Sequence, residues 1–226
     1  MREVNRHEEK FLITLPQAAL LAARLRAVAR PDPHARPDGS YFIRSVYFDD
    51  TFFSAYNDKL SGTEHREKFR LRFYNFDARA LWLEKKIKHG NLTGKRSARV
   101  DAGEAAEMLV GGGLSWTDRD PLLAEFAYLR RQTLRPVTIV DYDRYAFIYP
   151  VEDVRITLDM DIRTAPYRAN LFDSSLPTVP ALEDGEGVLE IKFNSFLPSH
   201  LALALEDVPK QRLAVSKYVK CLSYLE

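Results

Sequence analysis

One cysteine, Cys221, is the chain's whole stock of thiol, which excludes an intrachain disulfide and any cysteine-rich metal centre. It stands in an apolar helical pattern and reads as a buried structural thiol. No apolar run approaches about 18 residues, so no membrane-spanning helix is expected. The opening Met-Arg-Glu-Val-Asn-Arg has no apolar core of a signal peptide, and a soluble, cytoplasmic protein is the expectation. Charge of one sign is also missing: 33 Lys and Arg stand against 32 Asp and Glu, which removes any global signal for nucleic acid or a membrane surface. The single glycine cluster, Gly111-Gly112-Gly113, follows a helical pattern and precedes no lysine-serine pair, so it is a helix stop and not a phosphate loop. His7, His65, His89 and His200 form no triad pattern with the serines and read as surface residues.

What the chain does have is a strict alternation from Arg66 to Tyr74. Arg66, Lys68, Arg70 and Arg72 fall on one parity, and Phe69, Leu71 and Phe73 on the other. A period of two is a β-strand with one apolar and one cationic face. Like charges on that face repeat at about 7 Å, so an anion is expected in front of them. Other segments repeat the pattern: Glu84, Lys86 and Lys88; Tyr142 and Arg144; Arg155, Thr157 and Asp159; Glu190 and Lys192. These polar faces carry nine cations (Arg66, Lys68, Arg70, Arg72, Lys86, Lys88, Arg144, Arg155, Lys192) against three anions (Glu84, Asp159, Glu190), a bias that a randomly wetted face of so balanced a chain would not show.

Helices punctuate these strands. Thr14 caps one with Pro16 in its first turn, Asp101 with Glu104 forms a capping box for another, and Asp120-Pro121 starts a third. Further helices are expected over 199–206 and 209–225, an irregular loop over 163–187, and a turn leading to the aromatic segment Phe52 to Tyr56. At 226 residues one domain spanning 1–226 is expected. The fold class is α+β: an antiparallel β-barrel tunnel of about eight strands with a charged interior and helices packed outside. Buried like charges are costly without a counter-ion, so a wet tunnel holding a polyanion, with carboxylates for a metal, is the economical arrangement. Phosphate chains suit Arg and Lys better than nucleic acid does, because the aromatics lie mostly on the opposite parity and do not interleave with the cations.

The segments Arg6-His7-Glu8-Glu9-Lys10-Phe11, Arg44-Ser45-Val46-Tyr47-Phe48-Asp49, Lys68 to Tyr74, Leu83-Glu84-Lys85-Lys86, Thr93-Gly94 with Ser97, Tyr142 to Phe147, Arg155 to Asp159, Leu189-Glu190-Ile191-Lys192 and Ser216-Lys217-Tyr218 together resemble the vacuolar transporter chaperone (VTC) domain of polyphosphate polymerases, within the CYTH-like triphosphate tunnel metalloenzymes. The resemblance implies a tunnel in which Lys10, Arg44, Arg70, Arg72, Lys86, Arg99, Arg144, Arg155 and Lys217 contact phosphates, with Lys68 and Lys192 added by parity. Glu190 would be the principal metal ligand, assisted by Glu8 or Asp159, with Mn²⁺ or Mg²⁺ as the ion. Glu190, Arg70, Arg72, Lys86, Arg144 and Arg155 would carry transfer of the terminal phosphate of a nucleoside triphosphate, ATP foremost, to polyphosphate. Arg6 stands where CYTH proteins begin their alternating glutamates, which favours the polymerase branch. Hydrolysis of tripolyphosphate or a nucleoside triphosphate on the same tunnel, and polyphosphate binding without catalysis, stay open as alternatives.

Overall fold

The computed structural model describes residues 7–90, 92–111, 117–167, 171–208 and 216–225. In chain order these contain β1 (His7–Thr14), α1 (Leu15–Val28), β2 (Arg30–Pro31), β3 (Ser40–Asp49), α2 (Ser54–Leu60), β4 (His65–Tyr74), β5 (Leu81–His89), β6 (Leu92–Val100), α3 (Ala102–Val110), α4 (Pro121–Gln132), β7 (Arg135–Tyr149), β8 (Val154–Pro166), β9 (Val179–Pro180), β10 (Glu186–Phe193), α5 (Ser199–Ala204) and α6 (Lys217–Ser223). Local chemistry sets the helix starts. Thr14 and Gln17 cap α1 reciprocally, as Asp101 and Glu104 cap α3, and Asp120 accepts the Leu122 N–H at 2.7 Å to open α4. Gly111, with φ of 84°, closes α3 in the left-handed conformation that a side chain disfavours. Gly112 and Gly113, and most of the helix expected from residue 209, lie outside the described residues.

All strands join one antiparallel sheet in the order β1-β10-β8-β7-β3-β4-β5-β6, with β2 on β7 and β9 on β8. The expected closed barrel is therefore an open, curled sheet: among the described residues its edge strands β1 and β6 share no backbone ladder. Side chains span the seam instead, since the Lys86 ammonium on β5 lies 3.2 Å from the Glu8 carboxylate on β1. Two register shifts, at Tyr47/Phe48 and at Asp141/Asp143, mark bulges of the kind that add twist to the strands between the two edges. Strand β8 runs to Pro166, further than the alternation alone suggests, and so takes the start of the region expected as loop.

The outer face of the sheet is apolar and divides between two helical covers. Phe48, Phe69, Leu71, Phe73 and Leu83 pack under α3 and α4 through Met108, Leu122 and Phe126, while Phe11, Ile156, Leu158 and Leu189 pack under α1 and α5 through Leu21, Leu25 and Leu201. On the inner face an apolar layer occurs where α6 docks: Tyr218, Cys221 and Leu222 meet Ile43, Val140, Ile162 and Val188. Cys221 is buried there and its thiol is pushed up to about 12 by loss of solvent, the state of a packing residue. Gly187 permits the close approach of β10 to β8, because a Cβ there would lie 2.7 Å from the Asp159 carbonyl.

Candidate functional site

Register assigns the inner face strand by strand. On β4, Arg70 lies opposite Tyr47 of β3 and Glu84 of β5; Arg72 lies opposite Ser45 and Trp82; Lys68 lies opposite Lys86. Beyond β3, Tyr142 and Arg144 of β7 pair with Ile43 and Tyr41, and Arg144 faces Asp159 of β8. Thr157 and Arg155 then lead to Glu190 and Lys192 of β10, which face Lys10 and Glu8 of β1. One curled surface thus gathers Lys10, Lys68, Arg70, Arg72, Lys86, Arg144, Arg155 and Lys192 with Glu8, Glu84, Asp159 and Glu190. Lys217 joins them from the first turn of α6, its ammonium 2.5 Å from Asp159.

The carboxylates are heavily shared. Glu84 accepts from Arg70 at 2.6 Å and from Lys95 at 2.8 Å, with Arg72 at 3.8 Å. Asp159, fully buried, is forked by Arg144 at 2.6 and 2.8 Å and held by Lys217 from another side. Glu190 pairs with Lys192 and stands 3.7 Å from Lys10, which also pairs with Glu8. Burial pushes all four acids upward, but the surrounding cations outweigh it: Glu8 is brought down to about 2, and Glu84, Asp159 and Glu190 are held below their ordinary range. Every one of them is an anion at neutral pH.

The cations exceed what these acids can satisfy. Lys68 donates to Ser216 Oγ at 3.3 Å and pairs with no carboxylate among the described residues. Burial, with Lys86, Lys10 and Arg70 adding repulsion against Tyr47, brings Lys68 down to about 8. Lys86 also falls to about 8, through burial and Lys10, although Glu8 and Glu190 oppose the shift. Two lysines depressed this far on one face mark an excess of positive charge in a partly dehydrated space.

Two tyrosines organise the guanidiniums, a role that parity alone does not reveal. Tyr47 OH accepts from Arg70 at 3.1 Å; burial raises its phenol, but Arg70, Arg72 and Lys68 prevail and bring it to about 8. Tyr142 OH accepts from Arg72 at 3.0 Å, and its ring lies 5.1 Å from the Lys217 ammonium. Below them Tyr218 stacks on Tyr47 with centroids 5.0 Å apart and donates its hydroxyl to Asp49, which also accepts the Ala55 and Tyr56 N–H groups at the start of α2. The segment after the Asp49 turn, expected only as aromatic, is thus a short helix tied to α6.

Two of the predicted positions are not brought to the centre. Arg44 falls on the opposite parity of β3, 2% exposed, where it forks Asp141 at 2.7 and 2.9 Å and donates to the carbonyls of Leu171 and Asp173. Arg99 has the inner parity but stands exposed at the end of β6, donating to the Arg79 carbonyl at 2.9 Å and lining an outer cleft of about 510 Å³. Arg155 sits at the margin, tied to Asp32 at 2.7 Å and to Tyr41 OH at 2.9 Å. Arg6 lies outside the described residues.

A divalent cation on this face would have to be held by the carboxylates. Among the described residues no three His, Cys, Asp or Glu side chains converge. Glu8 and Glu190 do stand on neighbouring strands, close enough for each to feel the other's charge, and both contact Lys10. Two carboxylates with the other positions left to ligand oxygens and water suit an ion that keeps part of its hydration shell. Asp159 is consumed by Arg144 and Lys217.

A family model for the VTC domain matches residues 5–226. No curated protein matches the sequence. The fold is that of several solved structures. A Hippeastrum protein provisionally named an adenylyl cyclase, and described as revealing a dominant triphosphatase activity, superposes with a TM-score of 0.56 at 15% identity, covering 99% of this chain and 96% of that one. A Vibrio parahaemolyticus protein provisionally named an adenylate cyclase gives 0.52 at 11% identity, covering 99% of each chain. The PH1819 protein of Pyrococcus horikoshii gives 0.50 at 14%, covering 98% and 99%. At such identities the likeness is one of fold, while the match running from residue 5 to residue 226 shows that the chain belongs to the VTC domain family.

Proposed function

We propose that this chain is a metal-dependent phosphoryl transferase that moves the terminal phosphate of a nucleoside triphosphate, ATP foremost, onto a polyphosphate chain held by the inner face. The observation that carries this reading is the unbalanced charge of that face, where nine cations gather on four carboxylates, Lys68 pairs with no carboxylate among the described residues, and both Lys68 and Lys86 are depressed to about 8. A chain of phosphates supplies repeated negative charge at a spacing that cross-strand Arg and Lys can meet. Arg70, Arg72, Lys68 and Lys86 would bind one flank of the phosphate chain, with Lys10, Lys192, Arg144, Arg155 and Lys217 on the other. Glu84 and Asp159 hold Arg70 and Arg144 in fixed forks, so the donors are oriented before the ligand arrives. Arg44 does not enter this set, and Arg99 would be at most a contact beyond it.

Glu190 and Glu8 are the residues that would hold Mg²⁺ or Mn²⁺. An ion held there would supply positive charge against the phosphates during transfer. Lys10, released from its two acids, would then turn toward phosphate. No protein nucleophile is required, since the acceptor is itself a phosphate.

Hydrolysis is the second reading, favoured by the triphosphatase activity described for the Hippeastrum relative. It uses the same residues with water as acceptor. Calorimetric titration with tripolyphosphate tests the shared premise: binding that is lost in Arg70→Ala and kept in a surface variant such as Arg131→Ala supports it, and equal binding by all three proteins removes it.

A further inference from the structure

Aromatic rings on this chain lie mostly on the apolar side of the strands, and Trp82 is an exception. It is the second residue of β5, cross-strand from Arg72 on one side and Arg99 on the other, and two residues from Glu84 on the same face. Glu84 is buried at 5% exposure whereas Trp82 is 36% exposed, so the indole stands where the charged face reaches solvent. Its flanking guanidiniums are engaged elsewhere, Arg72 with Ser45 and Tyr142 and Arg99 with the Arg79 carbonyl. Among the described residues neither a cation nor another ring stacks on it. A partly exposed tryptophan with no ring or cation stacked on it among the described residues, on the rim of a cationic surface, is placed as a platform.

The geometry points to Trp82 as the stacking surface for the base of a nucleoside polyphosphate whose phosphates occupy the Arg70–Arg72 side of the inner face. This rests on the reading that the inner face binds phosphate chains. Residues i and i+2 of a strand lie about 7 Å apart, which leaves room for a ribose between the ring and the guanidiniums held by Glu84. Stacking on an indole is tolerant of base identity, so the subsite would separate nucleotides from inorganic phosphate chains and would discriminate weakly among purines. It also gives the ligand a direction: nucleoside at the Trp82 end of β5, terminal phosphate toward Lys86 and Glu8.

The test uses the full chain with Trp116 changed to Phe, leaving Trp82 as the one tryptophan. Titration with ATP is expected to quench the Trp82 fluorescence, and tripolyphosphate to bind without that quench. By calorimetry, Trp82→Ala should weaken ATP by about tenfold while leaving tripolyphosphate unchanged, and Trp82→Phe should recover most of the loss. An unchanged ratio of ATP to tripolyphosphate affinity in Trp82→Ala would overturn the subsite and leave the phosphate reading intact. Binding of neither ligand by the unsubstituted chain would overturn both.

Discussion

The Lys86 ammonium meets the Glu8 carboxylate at 3.2 Å although β5 and β1 share no backbone hydrogen bond. That contact joins the two halves of the curled sheet through charge, at the place where the Lys10, Lys192 and Glu190 cluster also gathers. A double-mutant cycle with Glu8→Gln and Lys86→Met should return a coupling of about 1 kcal/mol in chemical unfolding, since both groups keep some contact with solvent. In phosphate binding the same substitutions should diverge, Lys86→Met weakening the ligand and Glu8→Gln doing so only when Mg²⁺ is present.

Arg44 and Arg70 sit on adjacent strands with opposite faces, and their replacement should separate stability from binding. Arg44→Ala strands Asp141 and two carbonyls in the interior and should cost about 3–5 kcal/mol of stability. Arg70→Ala should remove most tripolyphosphate affinity. Thermal unfolding followed beside calorimetry checks the pair, and a folded Arg44→Ala protein that fails to bind would reverse the assignment.

The C-terminal anchor makes a third case. Tyr218→Phe deletes one hydroxyl donated to the buried Asp49 carboxylate while keeping the stack on Tyr47. The loss should be about 1.5–3 kcal/mol, read as a lowered midpoint in chemical denaturation. Equal midpoints would show that Asp49 is satisfied by the backbone of α2 alone.

Lys68 and Lys86, at about 8 in the folded chain against an ordinary 10.5, bind fewer protons than the unfolded chain between those values. Unliganded stability from this source must therefore rise with pH from about 8 to about 10.5. Phosphate affinity runs the other way, falling above pH 8 as the two ammonium groups deprotonate. Ligand binding at pH 8 should accordingly take up protons, measurable by calorimetry in buffers of different ionisation enthalpy. A Lys68→Met, Lys86→Met protein should show both effects flattened.

The cationic face was legible because β4 alternates cleanly: Lys68, Arg70 and Arg72 against Phe69, Leu71 and Phe73, with water on one side and helices on the other. β3 offers no such contrast. Both its faces are buried, so the parity of Arg44 in Tyr41-Phe42-Ile43-Arg44 does not say which side is the inner one. The tyrosine platform was only half legible: Tyr142 shares the parity of Arg144, but Tyr47 lies in a strand buried on both faces, and neither position announces the guanidinium its hydroxyl accepts from. Trp82 was hidden as a large aromatic that the strand register, and not its chemistry, places among the charges. The tunnel was legible as an expected closed barrel, but its open seam was not: the edge strands share no ladder among the described residues, and only side chains such as Lys86 and Glu8, 78 positions apart, meet across it.

Phosphoryl transfer on the inner face is open to ³¹P NMR of the chain incubated with ATP and Mn²⁺ or Mg²⁺. Internal polyphosphate resonances should grow, and should be absent in Glu190→Ala and in Arg70→Ala. Orthophosphate alone would contradict the transferase and establish the hydrolase, and an unchanged ATP spectrum beside tight tripolyphosphate binding would contradict catalysis.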